Sequence, residues 1–204
     1  MLYYIIIIFL LLPLSILVPI KKVGKKNLKE LKGKHYIISC NHMSNWDPVM
    51  MDIKFNRKYR FLAKKELFKN KFFGACMKSF GAIPVDRSKP DPSSIKEVFR
   101  HLNKGHHVCI FPQGTRAKTT RVEGRSAKEG VAMFSIRTNT PVVPMMYTRK
   151  LKMFRRAKLL IGKPLYPDEE RKKDKTYVTE FANLIVESMN NLLEGVKLNE
   201  DERL

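Results

Sequence analysis

The sequence predicts an α/β domain, a largely parallel sheet flanked by helices, preceded by an N-terminal helical segment that anchors in a membrane. Three observations carry this. Residues 1–20 contain no charged side chain; beyond them, short apolar runs alternate with helical patterns; and clusters rich in His, Asp, Gly and Arg follow directly after the apolar runs. Strands separated by helices of ordinary length are the pattern of a parallel sheet, and polar clusters at strand ends are where such sheets place their sites.

Twenty residues in a helix span about 30 Å, the hydrocarbon thickness of a bilayer. Lys21, Lys22, Lys25, Lys26, Lys29, Lys32 and Lys34 follow at once, opposed only by Glu30. A secretory signal has a basic leader and a small-residue cleavage site instead. The order here predicts an uncleaved anchor over residues 1–20 and a body over residues 21–204 on the cytoplasmic face of the cell membrane. Pro13 and Pro19 interrupt the helical ladder, so a segment that dips into one leaflet and returns is the alternative to a full span.

Along the body, strands are expected at His35–Ser39, Ile83–Val85, Val108–Phe111 and Val142–Tyr147, with helices at roughly Phe68–Phe80, Ser93–Lys104 and Ala127–Thr138. Val178, Phe181, Ile185, Met189 and Leu192 recur at three and four, an amphipathic C-terminal helix packing on the body. No linker or internal repeat divides these residues, and 204 residues suffice for one domain with its own core.

Composition narrows the function classes. Three separated cysteines, Cys40, Cys76 and Cys109, exclude a disulfide-stapled scaffold and offer no zinc pair, so no metal is assigned. A formal charge of +21 points to polyanionic partners: nucleic acid, anionic lipid or phosphorylated substrates. No nucleic-acid motif accompanies the charge, and none is expected to bind. Arg149, Lys150, Lys152, Arg155, Arg156 and Lys158 interleave with Leu151, Met153 and Phe154, a pattern that suits either an anionic membrane surface or a solvated face.

The chemistry-bearing residues lie in two clusters and a third segment. In Asn41-His42-Met43-Ser44-Asn45-Trp46-Asp47, Pro48 suits a first helical position and makes Asp47 a helix cap. A folded-back loop would bring His42 to Asp47, pairing a general base with a carboxylate that fixes its tautomer. No serine or cysteine nucleophile sits in a recognisable elbow, so the base acts directly on a substrate hydroxyl. In Phe111-Pro112-Gln113-Gly114-Thr115-Arg116, Gly114 permits close approach of a ligand, Thr115 offers a hydroxyl and Arg116 a fork suited to phosphate. Gly81-Ala82-Ile83-Pro84-Val85-Asp86-Arg87 places another Arg after a strand.

Taken in order, these three blocks and Pro141-Val142-Val143-Pro144 resemble the glycerolipid acyltransferase family, most closely its 1-acylglycerol-3-phosphate (lysophosphatidate) acyltransferases. The resemblance runs from about His35 to Tyr147. It implies a glycerol-3-phosphate acyltransferase-like fold and transfer of a fatty acyl group to the sn-2 hydroxyl of lysophosphatidic acid. It implies that His42 and Asp47 are catalytic, that Arg87, Gln113, Gly114, Thr115 and Arg116 bind substrate, and that Pro144 lies in the fourth block. The partners implied are a lysophospholipid acceptor, an acyl thioester donor (acyl-CoA or acyl carrier protein) and an anionic membrane surface, with no cofactor or metal. Gln113 stands where the family usually has Glu; its amide keeps an acceptor and adds an NH2 donor that would suit a phosphate oxygen. The alternatives are an acyltransferase for glycerol 3-phosphate or another lysolipid, and a non-catalytic basic protein that binds anionic membrane or nucleic acid.

Overall fold

The computed structural model describes residues 12–86, 88, 91–114, 116–117, 119–122 and 128–195. Helix α1 (Leu12–Leu17) leads into β1 (Ile20–Val23) and a 3-10 helix, Lys25–Leu31. Then come β2 (Ile37–Cys40), α2 (Asp47–Phe55), β3 (Arg60–Lys64), a 3-10 turn and α3 (Lys71–Ser79). The chain continues through β4 (Ala82–Val85), α4 (Pro92–Asn103), β5 (Val108–Ile110), α5 (Lys128–Thr138), β6 (Val142–Tyr147), β7 (Ala157–Ile161) and α6 (Lys175–Glu194).

The seven strands form one sheet in the order β1-β7-β6-β2-β5-β3-β4. Every pairing is parallel except that of β6 with β7. Central β2 is buried at all four residues, as a strand covered on both faces must be. Its side chains alternate: Ile37 packs with α4, α5 and α6, whereas Ile38 and Cys40 pack with Met50 and Met51 of α2. The outermost strands differ in character. β1 carries Lys21 and Lys22, and β4 carries an exposed Pro84.

Local chemistry starts the helices. Asp91 accepts from the backbone N–H groups of Ser93 and Ser94 ahead of α4, and Asp174 accepts from Thr176 ahead of α6. Phe181, Ile185 and Met189 are buried on the face of α6 that the periodicity marks, with Val178 and Leu192 at its margin.

Several expectations are corrected. β1, β3 and β7 were not foreseen, because each is short and carries lysine or arginine among its apolar residues. α3 starts at Lys71 rather than Phe68, since Lys65–Phe68 forms a separate 3-10 turn. His35 precedes β2, and Phe111 lies beyond β5. Residues 1–11 of the apolar segment lie outside the described residues. The segment's end is part of the folded body: Val18 is buried, Pro19 O accepts from Ala157, and Ile20 opens β1. Among the described residues no helix is long and apolar enough to cross a membrane.

Candidate active site

The parallel strands β2, β3, β4, β5 and β6 all end at one edge of the sheet, and the loops that leave β2 and β5 meet there. The loop after β2 doubles back so that His42 Nδ1 lies 3.0 Å from Asp47 Oδ2. The same carboxylate oxygen accepts the backbone N–H groups of Met43 at 2.8 Å and Ser44 at 2.7 Å. Asp47 opens α2, but its carboxylate faces back into the loop and does not cap the helix as expected. Trp46 holds the cap position without a side-chain bond.

The hydrogen-bond pattern sets the protonation. Oδ2 already takes two backbone donors, so it belongs to an ionised carboxylate, and the ring must donate its Nδ1–H. In the neutral ring this leaves Nε2 as the nitrogen able to receive a proton. Asp47 is 1% exposed and His42 13% exposed, so the pair is shielded from bulk water while the imidazole keeps an opening. The ring of Phe111 stacks on His42 with centroids 4.4 Å apart.

The loop after β5 fixes the backbone of His42 from both sides. His42 N–H donates to Gln113 Oε1 at 2.6 Å, and His42 O accepts from Ala117 N at 2.8 Å. The other end of the Gln113 amide donates to Arg121 O at 3.4 Å, so its NH2 group bonds the main chain. Gly114 has φ +67°, a left-handed conformation that a Cβ would strain, which explains the glycine. Arg116 is exposed beside this loop. Arg87 and Thr115 lie outside the described residues.

Neighbouring strand ends contribute an ion pair. Lys65 Nζ donates to Asp86 Oδ2 at 2.6 Å, and Asp86 Oδ1 accepts from Ser88. The Lys65 hydrogen bond, then those from Ser88, hold the Asp86 carboxyl well below the usual range. Pro144 sits inside β6 opposite Ser39, with its carbonyl taking Gly162 N–H, a role in the sheet rather than beside the dyad.

Asn41 supports the site in a way residue spacing does not reveal. Its side chain bonds both backbone groups of Tyr147, accepting at 2.8 Å and donating at 3.0 Å, and also donates to Thr120 O. It thereby joins the ends of β2 and β6 to the loop after β5. Its one sequence signal is a polar side chain directly ahead of the histidine. Burial pushes the thiols of Cys40 and Cys109 well above their ordinary pKa, which removes both as nucleophiles. Among the described residues, no three His, Cys, Asp or Glu side chains converge so as to hold a metal ion.

The chain is similar to known proteins in sequence and in fold. A family model described as Acyltransferase matches residues 19–148. The 1-acyl-sn-glycerol-3-phosphate acyltransferase of Bacillus subtilis (strain 168) is 32% identical over 188 residues, covering 86% of this chain and 90% of that protein. The protein of the same name from Streptococcus pneumoniae is 30% identical over 173 residues, covering 81% of this chain and 63% of that protein. In fold, the chain is similar to the crystal structure of the 1-acyl-sn-glycerophosphate (LPA) acyltransferase PlsC from Thermotoga maritima. That match has a TM-score of 0.66 at 20% identity, over 90% of this chain and 75% of the other.

Proposed function

Because the chain belongs to the acyltransferase family, we propose that it moves a fatty acyl group from a thioester carrier, acyl-CoA or acyl carrier protein, to the sn-2 hydroxyl of lysophosphatidic acid, giving phosphatidic acid for phospholipid synthesis. The observation that carries this is the His42–Asp47 pair at 3.0 Å, which engages Nδ1 and leaves Nε2 for the substrate.

Nε2 takes the hydroxyl proton as the acceptor oxygen attacks the thioester carbonyl. The new C–O bond forms, the tetrahedral intermediate collapses, the C–S bond breaks, and the imidazolium returns its proton to the departing sulfur. Asp47 stabilises the imidazolium between those steps. Arg116, with Arg87, Gly114 and Thr115, receives the acceptor phosphate, since an arginine fork matches phosphate oxygens. Gln113 serves the site through the backbone of His42.

The enzyme works at the cell membrane with its body on the cytoplasmic face. Support comes from the uncharged residues 1–20 and the lysines directly after them. Leu67, Phe72 and Phe73, exposed where α3 begins near the strand ends, suit contact with acyl chains.

Purified protein should release thiol from acyl-CoA or acyl carrier protein when lysophosphatidate is supplied. Release with glycerol 3-phosphate or another lysolipid in its place would reassign the acceptor. No release with any acceptor would overturn the catalytic reading.

A further inference from the structure

At the end of the sheet opposite the dyad, a pocket of about 490 Å³ opens between the 3-10 helix Lys25–Leu31 and the end of α2. Leu28, Leu31, Tyr36 and Phe55 make its apolar floor, and Lys25, Lys29, Lys32 and Arg57 make its rim. The size is that of a ligand site, and a few charged groups around an apolar floor is the usual composition of one.

The rim is a cluster of positive charge, with Glu30 the one acidic residue of the 3-10 helix that carries Lys25 and Lys29. No acidic side chain lines the pocket, and none of its four cations has an ion-pair partner among the described residues. Lys22 adds a fifth charge close behind, with its Nζ 5.1 Å from the Phe55 ring centroid. Burial above all, and then the neighbouring Lys25 and Lys54, lower its pKa.

Arg57 is held in place by a neutral group. Its Nη1 lies 3.1 Å from His107 Nε2, and an arginine can only donate, so His107 accepts through a neutral ring. That ring packs edge-on against Tyr36 with centroids 4.4 Å apart. The guanidinium is therefore positioned beside the pocket without being neutralised.

We infer that this pocket is a second, non-catalytic site for an anionic amphiphile, with a phosphate head on Arg57 and the lysine rim and an acyl chain on Leu28, Leu31 and Phe55. The apolar floor selects a chain-bearing anion over a free ion. The dyad lies at the other end of α2, so the ligand does not occupy the acceptor site.

The test uses the full chain and a dodecyl phosphate carrying a diazirine at the chain end, below its micelle concentration, with photolysis and peptide mapping. Adducts are expected within residues 25–36 or at Phe55. Lys29→Gln and Arg57→Gln, both at exposed positions, should each weaken that labelling about fivefold, the effect of one cation near an anionic lipid. Leu28→Trp should abolish it by filling the floor, with circular dichroism confirming the fold of each variant. Equal labelling by the diazirine of dodecanol would overturn the anion requirement. Full protection by inorganic phosphate at the probe's own concentration would make this a simple phosphate site and overturn the lipid assignment. Labelling confined to the dyad end of the sheet would overturn the site itself.

Discussion

The backbone N–H of His42 donates to the side chain of Gln113 at 2.6 Å, so the loop after β5 holds in place the backbone that carries the imidazole. An amide at this position accepts from His42 and donates to Arg121 O at once; a carboxylate could make only the first of these bonds.

Gln113→Leu should therefore lower kcat about tenfold, because a part-buried N–H left unpaired costs about 1–3 kcal/mol and frees the loop that aims the imidazole. Gln113→Glu keeps the acceptor and should change the acceptor's KM more than kcat. Steady-state kinetics on both variants separates a positioning role from a binding one. Unchanged kcat in the leucine variant would argue against positioning.

His42→Ala should reduce turnover by about 10²–10⁴-fold, the contribution of a positioned general base, with little change in thermal midpoint. Asp47→Asn should also slow turnover, since a neutral amide no longer stabilises the imidazolium. Asp47→Ala should add a loss of stability, because it strands the N–H groups of Met43 and Ser44. Thiol-release rates and melting curves check each arm.

Asn41→Leu should cost roughly 3–5 kcal/mol, since it leaves three buried backbone groups, on Tyr147 and Thr120, without partners. Urea unfolding would register this as a lower midpoint at unchanged slope. A small effect would mean that the strand ends find other bonds.

Acid should weaken the fold before it protonates most carboxylates. Burial, then Arg60, lowers the pKa of His101 to about 4, and burial, then Arg57, lowers that of His107 to about 4. Both rings are neutral in the folded state and bind protons more readily when unfolded. Their contribution is complete above the unfolded value of about 6.5 and is lost as pH falls toward 4, on the order of 1–2 kcal/mol each at pH 5. Replacing both with glutamine should flatten the fall in unfolding free energy between pH 6.5 and 4.5.

Removing residues 1–11 should weaken membrane retention while leaving the body's melting temperature nearly intact. Removing residues 1–20 should also lower that temperature, because Val18 leaves the core and Ala157 loses its bond to Pro19 O. Sedimentation after a mild salt wash and a thermal melt read the two effects apart.

The sheet's parallel centre was legible because β2, β5 and β6 are apolar runs bounded by turn residues, and a strand buried on both faces needs no alternation. β3 and β7 were illegible for the converse reason. Lys64 is exposed and Arg60 and Lys158 are half-buried, so these strands carry charged residues at positions that alternate with buried ones. The dyad was readable from the residue types of one short loop. Its rigidity was not, because the bonds that supply it come from Gln113, 71 positions away, and from backbone groups that carry no residue-type signal.

An open sheet has two margins where another chain could zip on. Here one margin is β1, with Lys21 and Lys22 on a strand of four residues, and the other is β4, where Pro84 offers no N–H to an incoming strand. Like charges repel a second copy at the first, and a missing donor breaks the ladder at the second. The two outer strands are thus guards against edge-to-edge polymerisation, one through charge and the other through a missing donor.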